Sequence, residues 1–103
     1  MILLPIEEEI EFRDGFYLRT TILREAGTVG EQHRHHFDHD TQITKGSASL
    51  WIDGQWDADY SEGDMIRIEA LKLHHFVALE PDTRITCIWP EDIDMDEAIV
   101  RTH

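Results

Sequence analysis

Turn-forming residues interrupt this chain so often that only short extended segments fit between them. Gly15, Gly27 and Gly46, the pair Asp53-Gly54, the run Ser61-Glu62-Gly63-Asp64 and the run Glu80-Pro81-Asp82 divide it. Between them lie the β-branched and aromatic residues that pack well on a pleated surface. FYLRTTILRE, Phe16 to Glu25, is bounded by Gly15 and Gly27, as a strand between turns is. SASLWIDG, after Gly46, puts Ala48, Leu50 and Ile52 on one face and Ser47, Ser49 and Trp51 on the other. That period of two marks a half-buried strand. Asp53-Gly54 is a hairpin signal, after which QWDADY runs to the next turn. MIRIEALKLHHFVALE, from Met65, reads as two short strands, and RITCIWP, Arg84 to Pro90, as a last one. Only EDIDMDEAIV, from Glu91, has helical character, with acidic residues in its first turn suiting the helix dipole. The expected class is all-β, a sandwich or barrel, with a short C-terminal helix.

Length and charge narrow the function. One domain, 1–103, is expected, and a chain of 103 residues buries only roughly 60 to 68% of its unfolded surface, so a metal or a second subunit would help its stability. The 22 acidic and 9 basic residues leave a formal charge of -13, which repels phosphate backbones and anionic lipid and attracts cations. No nucleic-acid partner and no membrane partner are expected. The single cysteine, Cys87, closes no internal disulfide, so the default compartment is cytoplasmic. MILLPIEEEI has no basic n-region, and Pro5 breaks its apolar run. It reads as neither a signal peptide nor a membrane span.

The chemistry concentrates in EQHRHHFDHD, Glu31 to Asp40, which holds four of the seven histidines. On a strand, His33 and His35 point to one face with Cα atoms about 6 to 7 Å apart, close enough to converge on one ion. His36 points the other way. His39 shares their parity, but a straight strand would carry it about 20 Å from His33, far outside a coordination sphere. The chain therefore turns at His36-Phe37-Asp38. A fourth histidine is available from a later strand, as His74 or, less naturally, His75. The alternative is a solvated histidine-rich loop, which leaves the clustering unexplained. His103, at the terminus, is set aside.

The stretch from Gly27 to Gly46, GTVGEQHRHHFDHDTQITKG, resembles the first motif of the cupin superfamily: Gly, five residues, His-x-His, three or four residues, Glu, six residues, Gly. Gly27, His33, His35 and Gly46 match in register, and His39 stands in the glutamate's place. Gly63-Asp64 with His74 eleven positions after Gly63 matches the second motif. Glu69 replaces its usual proline, Leu71 its usual glycine and Ala78 its frequent terminal asparagine.

The resemblance implies a small single-domain jelly-roll β-barrel over roughly residues 16 to 90. It implies a metal held by His33, His35, His39 and His74. Phe37, Phe76 and Trp89 are the candidate apolar wall beside it, and Cys87 is a further pocket candidate, read as a small buried hydrophobe. Glu69 and Arg84, with Cys87, are expected near the pocket rim or wall. Trp51 reads as an outer-face or interface residue and Trp56 as a turn-packing one. Imidazole suits iron, manganese, nickel, copper and zinc alike, so the ligands name a divalent transition metal without choosing it. Replacing the carboxylate by His39 leaves the ion more electron-poor, with a higher redox potential.

Two functions follow from the resemblance. The first is a metal-dependent oxidoreductase, dioxygenase-like, acting on a small oxygenated organic molecule. The second is a non-catalytic module that binds a metal or small ligand. A sugar isomerase or epimerase is a weaker third, since no His-Asp or Tyr pair stands out as its acid and base. A homodimer is expected as well. A short barrel has exposed sheet edges, and the N-terminal strand-like segment Ile6 to Phe12 can cover one of them.

Overall fold

Two pairs of residues set two tight hairpins. Asp14-Gly15 and Asp53-Gly54 all take positive φ, at 52, 82, 50 and 80°, the conformation of a two-residue type I′ turn whose twist matches the strands it joins. The computed structural model describes residues 5–35, 37–90 and 99–101. Their strands, in chain order, are β1 (Ile6–Arg13), β2 (Phe16–Leu23), β3 (His33–His35), β4 (His39–Lys45), β5 (Ser47–Ile52), β6 (Gln55–Ser61), β7 (Met65–Ile68), β8 (His74–Ala78), β9 (Thr83–Pro90) and β10 (Ile99–Arg101).

The strands form two five-stranded sheets, one in the order β1-β2-β9-β4-β7 and the other β10-β3-β8-β5-β6, all pairs antiparallel. This is the all-β, jelly-roll arrangement expected of the sequence. The two sheets alternate along the chain, so consecutive strands repeatedly cross from one to the other. Residues of odd number on β9 and even number on β8 share the buried face: Thr83, Ile85, Cys87 and Trp89 from the first, His74, Phe76 and Ala78 from the second. Between the sheets, Leu23, Ile43, Ala48, Leu50, Ile66, Ile68, Phe76, Ala78 and Ile85 make one apolar cluster. The predicted inward set Ala48, Leu50 and Ile52 lies in or against it.

Gly46 shows why one framing glycine is needed. Its φ is 78°, and a Cβ there would stand 2.6 Å from Thr83 Oγ1, so any side chain would both strain the backbone and collide. The expectation of a helix from Glu91 to Val100 is corrected at its end. Ile99 and Val100 are β-branched and belong to β10, which pairs with β3 in the register Ile99↔His35; residues 91–98 lie outside the described residues, as do His36 and His103. The N-terminal segment does form a strand that covers the edge of β2, in the register Ile6↔Leu23 to Arg13↔Phe16. Among the described residues no helix is long and apolar enough to cross a membrane.

Candidate metal centre

The three-residue strand β3 places His33 and His35 on one face, and its one register pair with β8 sets His74 directly opposite His33. A nitrogen from each of His33, His35 and His74 lies within 4.8 Å of the others. His35 and His74 are each 1% exposed. The rings of His33 and His74 stand 4.5 Å apart and those of His33 and His35 5.0 Å.

Two of these rings are oriented by backbone carbonyls. His33 Nδ1 is 2.9 Å from the Glu31 carbonyl and His74 Nδ1 is 2.9 Å from the Lys72 carbonyl. Each Nδ1–H donates there, which fixes the tautomer and turns Nε2, with its lone pair, inward. Among the described residues, Nε2 of both His33 and His74 is buried without a hydrogen-bond partner. Buried polar atoms are normally satisfied, and convergent neutral imidazole nitrogens are what a divalent transition ion binds. The donors fit such an ion.

His39 opens β4 after the predicted corner. Its ring lies 4.2 Å from His35 and 5.4 Å from His74, it is 3% exposed, and neither ring nitrogen makes a hydrogen bond of good geometry. Two backbone ties hold this corner against the loop before His74. Ala70 N–H donates to Asp38 Oδ1 at 2.7 Å, and Leu71 N–H donates to the His35 carbonyl at 2.7 Å. Leu71 has φ of 63°, a conformation that suits glycine and strains a bulky side chain.

Electrostatics keeps the cluster neutral. Burial, then the charge of His74, pushes the His33 pKa down to about 3, against the opposing bond to the Glu31 carbonyl. Burial, then His74 and His33, pushes His39 down to about 3. Burial lowers His74 as well. At neutral pH these imidazoles are therefore in the form that ligates metals.

The expected surroundings divide into two groups. Phe37 and Trp89 lie against His35, with centroid distances of 5.5 and 5.6 Å, and the Trp89 indole N–H is buried without an acceptor. Phe76 and Cys87 instead line a cavity of about 100 Å³ that reaches His33. Cys87 Sγ lies 3.6 Å from Thr41 Oγ1, and burial raises its thiol pKa, so it stays protonated. His75 does not join the cluster; its ring stacks on Trp51 at 6.1 Å and 9°. Trp56 is exposed and donates from Nε1 to Asp59. Glu69 lines a separate open groove beside Trp56 and Lys72, and Arg84 alternates to the face opposite Ile85 and Cys87.

Sequence reasoning did not single out Arg19 and Glu8. Arg19 points into the cavity from β2, 4% exposed, with Nη2 on Glu8 Oε1 of β1. The signal was present: Arg19 shares the parity of Thr21 and Leu23, the inward face of FYLRTTILRE.

No family model and no curated protein matches the chain. Solved structures do resemble it. KdgF from Halomonas sp. superposes with a TM-score of 0.71 at 23% identity, over 87% of this chain and 82% of that one. A cupin superfamily protein from Desulfitobacterium hafniense gives 0.68 at 17% identity, over 84% and 78%. The DMSP lyase DddQ from Ruegeria pomeroyi gives 0.74 at 16% identity, over 95% of this chain and 52% of that one, so this chain spans about half its length. The fold is the one these structures share.

Proposed function

We propose that this chain is a cupin that holds one divalent transition metal through His33, His35, His39 and His74, and that it is a metal-dependent enzyme acting on a small oxygenated organic molecule. The carrying observation is the convergence of buried imidazole nitrogens, with the Nε2 atoms of His33 and His74 turned inward by backbone carbonyls and lacking partners. His39 is the proposed fourth ligand because its ring touches two of the other three and its nitrogens are unsatisfied. Iron, manganese, nickel, copper and zinc all suit this donor set.

An ion bound by four neutral ligands would supply an uncompensated positive charge, hence strong Lewis acidity and, for a redox metal, a raised potential. The chain's own residues supply the rest. Phe37 and Trp89 exclude water from one side of the histidines, and the unsatisfied Trp89 N–H is a donor for an oxygen-bearing ligand. The cavity beside His33 has room for a small molecule, which favours an enzyme over a module that only holds a metal. Cys87 is a neutral thiol and Glu8 is engaged by Arg19, so neither serves as a general base in the cavity. That favours chemistry carried by the ion, and a dioxygenase-like oxidoreductase is the reading we adopt.

Protein purified without added metal should carry close to one transition ion per chain by elemental analysis. With metal at about 1,000 times its Kd, folding gains roughly 4 kcal/mol, and chelation should remove it as a fall in melting temperature. His33→Ala, His35→Ala and His74→Ala should each lose the metal after dialysis, whereas His39→Glu should keep it. Equal metal content in wild type and the three alanine variants would sink the site and the enzyme with it. Oxygen uptake against small diketones, catechols and keto acids then tests the oxidoreductase reading. A homodimer in the cytoplasm completes the proposal, supported by the exposed Ile10, Phe12 and Phe16 on the β1-β2 hairpin; a monomer by light scattering at micromolar concentration counts against it.

A further inference from the structure

The interior cavity contains a cation. Arg19, 4% exposed, projects from β2 into the space lined also by Glu8, Thr21 and Cys87 on its own sheet and by His33 and Phe76 on the other. A buried guanidinium is retained only where it is paired, because losing its hydration is costly. Among the described residues its side-chain partner is Glu8, held through Nη2. An arginine presents five N–H donors in a planar fork that fits a carboxylate with two parallel bonds, so a contact through one nitrogen leaves the preferred geometry unused. Glu8 itself lies on the edge strand β1 and is 35% exposed, so water can take over its solvation if it is displaced.

The rest of the molecule sharpens the reading. The formal charge is -13, and a surface of that sign repels small anions. Arg19, held between the sheets beside His33, is a positive charge that faces Glu8 and Glu31 in the same cavity and offsets that repulsion there. Its field reaches both neighbours, adding to the burial that chiefly lowers His33 and opposing the burial that chiefly raises Cys87. The cavity, about 100 Å³ with Leu23, Phe76 and Ile85 as apolar walls, suits a molecule of a few heavy atoms with one charged end.

We propose that Arg19 is the anchor for the carboxylate of a small organic acid bound between it and His33, with Glu8 as the counter-ion that the carboxylate displaces. This rests on the metal-dependent reading for the fate of the bound acid, but not for its binding. It makes the substrate class a short monocarboxylate and makes β1 part of the site.

The test uses glycolate and its uncharged analogue glycolamide, titrated into the chelated protein so that neither can bind through an ion, with the Arg19 side-chain N–H and the Cys87 amide followed by NMR. Glycolate should bind at least tenfold more tightly than glycolamide. Arg19→Met should abolish that preference. Glu8→Gln removes the competing carboxylate from a part-exposed edge position, so it should tighten glycolate severalfold even if Arg19→Met does not fold. Equal binding of the two probes, or glycolate affinity unchanged or weakened in Glu8→Gln, would overturn the assignment. Metal content measured on the same samples separates the two readings: a protein that prefers glycolate but takes up no metal upholds Arg19 and refutes the metal centre.

Discussion

The same strands build two very different ends of the space between the sheets. β4 presents His39, Thr41 and Ile43 in succession to the interior, β8 presents His74, Phe76 and Ala78, and β2 presents Arg19, Thr21 and Leu23. Each runs from a polar group to an apolar one. At the apolar end, packing is stabilised by burial at about 25 cal/mol per Å² of apolar surface. At the histidine end, buried nitrogens lack partners, and each such atom costs free energy instead of supplying it. One end holds the fold together, and the other is held in place by it.

Acid should separate the two ends most strongly. In the metal-free protein His33 and His39 titrate at about 3 when folded, against about 6.5 when unfolded. Below 6.5 the unfolded chain takes up protons that the folded one refuses, so stability is intact above that pH and falls as pH drops toward 3. Each residue contributes about 1.4 kcal/mol per pH unit. Together they should remove at least about 4 kcal/mol between pH 7.5 and 5.0, measured by urea denaturation after chelation, with His39→Gln abolishing about 2 kcal/mol of that loss. A flat profile would mean that these rings are not buried neutral.

A cut at the other end should also destabilise, but without involving the histidines. Leu50 is fully buried in the apolar cluster, and Leu50→Ala should cost about 3 kcal/mol in the same denaturation assay. Its effect should be independent of pH, and the metal bound per folded chain should not change. If Leu50→Ala lowered metal content among folded molecules, the two ends would be coupled and the division between them would fail.

Much of this was legible because local patterns were strong. The alternation of Ala48, Leu50 and Ile52 and the hairpin at Asp53-Gly54 need only period and turn chemistry. The His33–His35 pair followed by a corner came from strand geometry, and His74 came from the resemblance to the second cupin motif, strand reasoning alone leaving His75 open. Asp14-Gly15 carries the same turn signal as Asp53-Gly54, and the strand before it, IEEEIEFR, was legible as the strand-like segment Ile6 to Phe12 despite its glutamates. Arg19 was missed. A charged residue within a β-branched run is ordinarily outward, which masked the parity Arg19 shares with Thr21 and Leu23, and the register Arg19↔Cys87 with β9 makes that face the cavity side. Leu71 departs from the motif's glycine in sequence while keeping the glycine-like backbone, at φ of 63°. The loop is held by its hydrogen bonds to the two histidine segments, and no propensity rule reports that. The strand at Ile99–Arg101 depends on a free edge of β3, which exists only once the sheet has formed.

The single register pair His33↔His74 has a kinetic consequence. The two residues are 41 positions apart in the chain, and β3 can meet β8 only after the intervening strands have been placed, so their contact belongs to the late, non-local part of assembly. An ion bridging them would find no complete site in the folding transition state. It would leave the refolding rate nearly untouched and slow the escape from the native state instead, acting less as a template for folding than as a latch on its reversal.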